Sequence, residues 1–267
     1  MRLRIAHSTV YRYDPPAAGA IQVLRLSPRN HEGQYVVRWR IDVFPDARLA
    51  AHEDAFGNLT HVFTADGPLD ELRVEVDGEV ETQNTDGVVR GTIERFPPSL
   101  FLRDTALTQP DAAICEFART IRVAGRGEAL GELHALLDRL HAEWAHEPGA
   151  KHTAADAAKA FERMSGTAAD LSHIFISAAH SLGVPARFVG GYFRQAEVGV
   201  EQSGHAWAEA YVADLGWVAF DPASGFCPMD AHVRVAVGLD SLGAAPLRGS
   251  RYGVGAEALE IAIKVDQ

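Results

Sequence analysis

Near residue 90 the hydrophobic pattern of this 267-residue chain changes period, and that change limits the possible folds more than any single residue does. Before it, apolar and polar residues alternate in short runs, as half-buried strands require. Leu3–Tyr13 alternates and stops at Asp14-Pro15-Pro16, and Ile21–Leu26 stops at Ser27-Pro28-Arg29-Asn30. Tyr35–Phe44 is rich in Val and Ile and stops at Pro45-Asp46. The segment Asp54-Ala55-Phe56-Gly57-Asn58 reads as a turn, because Gly and Asn tolerate positive φ, and it leads into Leu59–Thr64. Leu72–Val80 completes the set, and strands at this spacing predict an antiparallel β-sandwich over residues 1–90.

Polar and proline-containing segments fill residues 84–108, and helical periodicity follows. Helices are expected over Pro110–Arg122, Ala129–Ala145, Thr153–Met164 with Thr153 as N-cap, and Ala168–Leu182, which Gly183 and Pro185 stop. Strand patterns return at Ala186–Phe193, His205–Val212, Trp217–Asp221, Val233–Val237 and Leu259–Val265. Helices followed by an antiparallel sheet make residues 91–267 an α+β domain and the whole chain α+β.

A net charge of −11 disfavours nucleic acid and anionic membranes as partners. No apolar run is long enough to span a bilayer, and the alternating N-terminus lacks the apolar core of a secretory signal. Two cysteines, Cys115 and Cys227, fit a reducing compartment, so a cytoplasmic protein without disulfides is expected.

The chemistry-bearing residues lie in the second part. Gly166-Thr167-Ala168-Ala169-Asp170-Leu171-Ser172-His173 reads as the opening of a helix, where unpaired N–H groups and the helix dipole would stabilise a thiolate. Position 168, however, is alanine. His205 begins Gly204-His205-Ala206-Trp207-Ala208-Glu209, and Asp221 ends Gly216-Trp217-Val218-Ala219-Phe220-Asp221. Alternation puts His205, Trp207, Glu209 and Tyr211 on one face of a strand and small residues on the other, where the Ala168–Leu182 helix could pack. A hairpin centred on Ala213 sets His205 opposite Asp221, whereas a loop Asp214-Leu215-Gly216 sets Asp221 opposite Glu209. The pattern alone leaves both registers open.

These runs, with Ser181-Leu182-Gly183-Val184-Pro185-Ala186-Arg187-Phe188-Val189-Gly190-Gly191-Tyr192, resemble the bacterial transglutaminase-like core. Residues 1–85, with Asp54-Ala55-Phe56-Gly57-Asn58, resemble the β-rich domain that precedes that core in bacterial members, and His232–Gly238 and the last strand also follow the family. The resemblance implies a papain-like cysteine-protease architecture and a Cys-His-Asp triad. It also implies amide or acyl chemistry without metal or cofactor. Ala168 takes the position of the family's nucleophilic cysteine, with His205 and Asp221 as the other two members; Asp170, His173 and Trp207 are candidate supporting residues. Ala169 departs from the Gln common in bacterial members.

Three readings follow from that departure. The chain is a pseudoenzyme whose cleft binds a peptide or protein amide group or a partner. Alternatively, it is an active thiol amidase, protease or acyltransferase in which the natural cysteine has been replaced by alanine. A third possibility is an interaction protein working through its N-terminal β-sandwich. The resemblance also suggests a companion protein of the ATP-grasp or helical type. Other nucleophiles are weaker candidates: Ser172 lies one turn on and should bond locally, Thr167 and Ser165 only flank the position, Cys115 sits on an amphipathic helix, and Cys227 lies in a loop after Asp221. His152, His180 and His232 have no spacing suggestive of metal ligands.

Overall fold

The computed structural model describes residues 1–124, 128–149, 155–195 and 204–267. Its first sheet is built on two long strands, β1 (Arg2–Ser27) and β4 (Leu59–Thr82), paired antiparallel for almost their whole length. β2 (Gln34–Phe44) lies on one half of β4 and the short β3 (Ala50–Glu53) on the other. Sequence alternation predicts four shorter strands where these two run. The structure joins Leu3–Tyr13 to Ile21–Leu26 through Pro15 and Pro16, with shifts in register between Arg12 and Gly19. Proline lacks a donor and is tolerated in a sheet where the ladder is already broken, so the prolines mark a bend and not an end. The bent sheet closes over its own core. Leu24, Leu26 and Phe63 of one half meet Leu72, Val74 and Val76 of the other, all buried.

Four α-helices follow among the described residues: α1 (Ala112–Ala124), α2 (Ala129–Glu143), α3 (Ala157–Arg163) and α4 (Ala168–Ser181). The cap expected at Thr153 lies outside the described residues. The cap present on α3 is Asp156, whose carboxylate accepts from Lys159 N at 2.9 Å. Two short strands, β6 (Ala145–His146) and β7 (Ser165–Gly166), pair in parallel and bring His146 beside Gly166, just ahead of α4.

The second sheet runs β11-β8-β9-β10-β5, all antiparallel, from β5 (Val88–Val89), β8 (Ala186–Phe193), β9 (His205–Val212), β10 (Gly216–Phe220) and β11 (His232–Gly238). As the alternation predicts, Ala206, Ala208, Ala210 and Val212 form the small apolar face of β9. They share a core with Leu171, Ile174, Phe175 and Ala178 of α4.

Residue 90 marks a change of element type, yet strand pairing crosses it both ways. β5 joins the second sheet, while β12 (Leu247–Tyr252) and β13 (Ala256–Asp266) return to pair with β1. The two parts are also tied by polar side chains. Asn58 bonds both the N–H and the C=O of Val237 (2.8 and 2.7 Å), and Gln34 does the same for Arg234 (2.8 Å each). Asp54 organises the preceding turn by accepting from Phe56 N and Asn58 N, with Gly57 at φ 82°.

Candidate active site

Helix α4 starts where its sequence requires. Thr167 accepts from Asp170 N (3.2 Å) while the Asp170 carboxylate accepts from Thr167 N (2.9 Å), a reciprocal capping box. Asp170 is fully buried and also accepts from Ala155 N at 2.7 Å, with Arg163 3.4 Å away. Gly166 is needed for this approach, because a Cβ there would lie 2.6 Å from the Asp170 Cβ. Ala168 is thereby held as the first helical residue, where backbone N–H groups have no partner within the helix.

Ala168 and His205 line one cleft of about 280 Å³, together with His146, Glu147, Thr167 and Gly190. His146 and Glu147 carry no motif, and only the β6–β7 pairing places them there. Burial pulls the His146 imidazole below its ordinary value, with the nearby His205 acting in the same direction.

His205 Nε2 lies 2.6 Å from Asp221 Oδ2. Its register is neither of the two that the sequence left open. Trp217 faces Tyr211 and Ala219 faces Glu209, so the turn holds Ala213, Asp214 and Leu215. Continuing that ladder places Asp221 at the level of Trp207, two residues from His205 on the same face, and the two side chains meet diagonally. The interaction orients the imidazole with Nε2–H toward the carboxylate and leaves Nδ1 as the basic nitrogen.

Asp221 is fully buried and every acceptor direction is used. Oδ2 also receives His232 Nε2 (3.2 Å), and Oδ1 accepts from Ala223 N and Ser224 N (3.1 and 3.2 Å). Burial alone would raise its pKa, but His205 and His232 outweigh burial and hold the group below the usual carboxylate range.

No spacing in the sequence ties His232, one histidine among twelve, to Asp221. It stacks against Phe193 (4.3 Å between centroids) and packs edge-on to Trp207 (5.4 Å), which accounts for Trp207 as a supporting residue. Ligand atoms of His205, Asp221 and His232 lie within 4.8 Å of one another, a spacing that a metal ion could use. The hydrogen bonds favour another arrangement. Met229 N donates to His232 Nδ1 at 3.3 Å, which leaves the proton on Nε2, pointed at Asp221. A neutral imidazole that bound metal through Nε2 would carry its proton on Nδ1, against the Met229 N–H. The cluster therefore fits a carboxylate with two imidazole donors better than a metal centre.

The remaining candidates separate clearly. Ser172 is buried and donates to Ala168 O at 2.7 Å, as expected of a local helix contact. His173 is buried against Ala155 O (3.3 Å) and accepts from Ser241 N (3.1 Å), which ties down a residue of the cleft wall. Cys115 lies 3.7 Å from Ser181 Oγ. Cys227 packs against Gly87, is not among the described residues of the cleft, and has its thiol pushed up to about 11 by burial and the carboxylates of Asp138 and Asp86. Glu209, also on the His205 face, is fully buried between Arg187 (2.8 Å) and Arg234 (2.7 Å). That pairing makes it a structural ion network inside the sheet.

Comparisons with known proteins agree with this architecture. The bacterial transglutaminase-like N-terminal region matches residues 3–81, and the transglutaminase-like superfamily matches residues 116–222. The uncharacterized protein ML0607 of Mycobacterium leprae is 28% identical over 279 residues, which cover 99% of this chain and 98% of that protein. YebA of Bacillus subtilis is 33% identical over 78 residues, covering 25% of this chain and 10% of its own length. A solved structure described as "a Putative Cysteine Protease from Cytophaga hutchinsonii" superposes with a TM-score of 0.78 at 16% identity, covering 100% of this chain and 90% of that one, and shares its fold. No helix among the described residues is long and apolar enough to cross a membrane. With Ala168, His205 and Asp221 inside it, residues 116–222 match the transglutaminase-like superfamily, and the bacterial transglutaminase-like N-terminal region precedes them at residues 3–81.

Proposed function

We propose that the protein is a pseudoenzyme whose cleft binds an amide-bearing segment of a peptide or protein without cleaving it. The observation that carries this reading is Ala168 at the head of α4, beside a paired His205 and Asp221. Acyl transfer by this site would need a nucleophile at the helix N-terminus, and a methyl group has no lone pair to offer. Binding needs less. The first-turn amides of α4 can donate to a carbonyl oxygen, and His205 Nδ1 can accept an amide N–H. The reading places the protein in the cytoplasm, where Cys115 and Cys227 would stay reduced. A companion enzyme of peptide-bond metabolism would supply the ligand.

The test is an assay of amide, ester and glutamine-donor turnover by the purified chain and by its Ala168→Cys variant. Inactivity of the first, with binding of a glutamine-containing peptide that is lost in His205→Ala, is the expected result. Turnover by the chain itself that disappears in His205→Ala would overturn the reading. Strong turnover by Ala168→Cys would favour the alternative, in which the natural site is a working thiol enzyme and alanine a replacement. The N-terminal interaction reading has its own support in the exposed Tyr35, Val37 and Phe44 of β2.

A further inference from the structure

A second hollow, of about 350 Å³, has none of the residues of the His205 cleft in its wall. It lies where the two sheets meet. The segment between β1 and β2 contributes Arg29, Asn30 and His31, while β8 and β11 contribute Arg187 and Arg234. In a chain of net charge −11, its described lining holds three arginines and a histidine and no aspartate or glutamate. The carboxylates that balance these cations lie outside the described lining. Glu94 takes both terminal nitrogens of Arg187 (2.7 and 2.9 Å), Glu209 takes Nε and Nη2 of Arg234 (2.7 and 3.1 Å), and Glu53 takes Nη2 of Arg29. The guanidinium groups are thereby fixed in place.

Two N–H groups on residues lining the hollow have no acceptor among the described residues. Arg29 Nε and His31 Nε2 are both buried and unpartnered. Gly33 N donates to His31 Nδ1 at 3.2 Å, so the proton of the neutral ring sits on Nε2. A buried donor left without an acceptor is destabilising, and folded proteins keep few of them. An oxyanion satisfies such donors, and guanidinium N–H groups match its geometry and charge.

We propose that this hollow is a binding site for a small molecule carrying an oxyanion, either a phosphate or a carboxylate group, held by Arg29, His31 and Arg234. Because Arg29 and His31 come from the first sheet's side and Arg234 from the second sheet, the bound anion clamps the two parts together and stabilises the fold.

The test uses the full chain with inorganic phosphate and with acetate, each compared with sodium chloride at equal ionic strength. Melting temperature and calorimetric binding are the readouts. A phosphate-specific rise identifies a phosphate ester as the ligand class, an acetate-specific rise identifies a carboxylate, and a rise with both identifies oxyanion recognition in general. The decisive variant is Asn30→Asp. Asn30 is exposed and its Oδ1 accepts from Val36 N at 2.8 Å, a role that aspartate preserves while adding a negative charge to the wall. Asn30→Asp and Arg29→Gln should each weaken binding about tenfold or more while the protein remains folded by circular dichroism. If neither anion exceeds chloride, or if Asn30→Asp binds as well as the parent, the proposal is wrong. The His205 cleft takes no part in this experiment, so its outcome is independent of the function proposed above.

Discussion

His205 and Asp221 meet through Nε2 and Oδ2 at 2.6 Å across a hairpin whose register does not place them opposite one another. The contact is diagonal, from the first residue of β9 to the residue just after β10. A second imidazole, His232, reaches the same oxygen, and two backbone amides hold the other. The carboxylate is thus fixed from four directions and fixes His205 in turn.

Restoring a thiol should reveal whether the site still activates one. A cysteine introduced at 168 sits at a helix N-terminus in the same cleft as His205, where thiols ionise near or below neutrality, whereas Cys227 is held at about 11. Ala168→Cys should therefore react with iodoacetamide at pH 7 some ~100-fold faster than Cys227. Mass spectrometry of the labelled peptides gives the ratio. Equal rates at 168 and 227 would mean that the base geometry has decayed.

His232 should act through Asp221 and not on a bound group. In the Ala168→Cys background, His232→Ala leaves His205 in place but removes one of two imidazole donors to the carboxylate. The expected result is a shift in the pH profile of thiol labelling with a modest loss of rate, while His205→Ala removes most of the enhancement. An unchanged pH profile would show that His232 only fills space.

The helix start should be sensitive in a graded way. Thr167→Ala loses one cap and should cost about 1 kcal/mol in urea unfolding. Asp170→Ala also abandons Thr167 N and Ala155 N in a buried setting, and should cost on the order of 3 kcal/mol. Equal losses in the two variants would contradict the hydrogen-bond assignment.

Acid should weaken the fold in two stages. His7 is buried between Tyr192 and Thr9 (3.0 Å to each), and burial lowers its pKa to about 4. A histidine with a depressed native pKa binds its proton more readily when unfolded, so its stabilising effect is full above about 6.5 and fades as pH falls toward 4. That single group accounts for a loss on the order of 3 kcal/mol, and His7→Gln should make this part of the curve shallower, leaving the share of His31, which burial also lowers to about 4. Below it come Asp221 and Glu209. Burial opposes both charges, but Arg234 and Arg187 hold Glu209 at about 2, and the two imidazoles hold Asp221 below the usual range. Their contribution is present above about pH 4 and lost as acid protonates them. Urea unfolding measured from pH 7 to pH 3 distinguishes the stages.

Gly190 provides a test of the cleft. Among the described residues, a Cβ there would meet Ala244 O at 3.5 Å and Phe188 Cε1 at 4.0 Å, ordinary contact distances, and Gly190 lines both the cleft and the apolar hollow beside it. Gly190→Val should leave the melting temperature within a few degrees. In the Ala168→Cys background it should slow labelling by iodoacetanilide several-fold more than labelling by iodoacetamide. Equal slowing of both reagents would place the obstruction elsewhere.

Much of this was legible in the sequence because it depends on neighbours along the chain. The capping residues Thr167 and Asp170, the alternating faces of β9, the turn at Asp54–Asn58 and the order Ala168, His205, Asp221 each follow from local periodicity or backbone preference. Local rules failed where a residue's partner is distant. Pro15 and Pro16 read as a strand end, but β4 and the returning C-terminal strands carry β1 through the bend. His232 looked like any other histidine until β11, paired beside β8, carried it to Asp221.

The sequence by itself therefore determined the α+β class, the residue types at the site and the absence of a nucleophile at 168. Those properties reside in side-chain chemistry and in the 2.0 and 3.6 residue periods of the backbone. Only the tertiary structure decided the β9–β10 register, the protonated nitrogen of His232 and the meeting of Arg29 and His31 with Arg234. A register depends on which of several near-equivalent ladders the surrounding core favours, and a tautomer depends on the group that faces the ring. Neither has a counterpart in the linear order of residues.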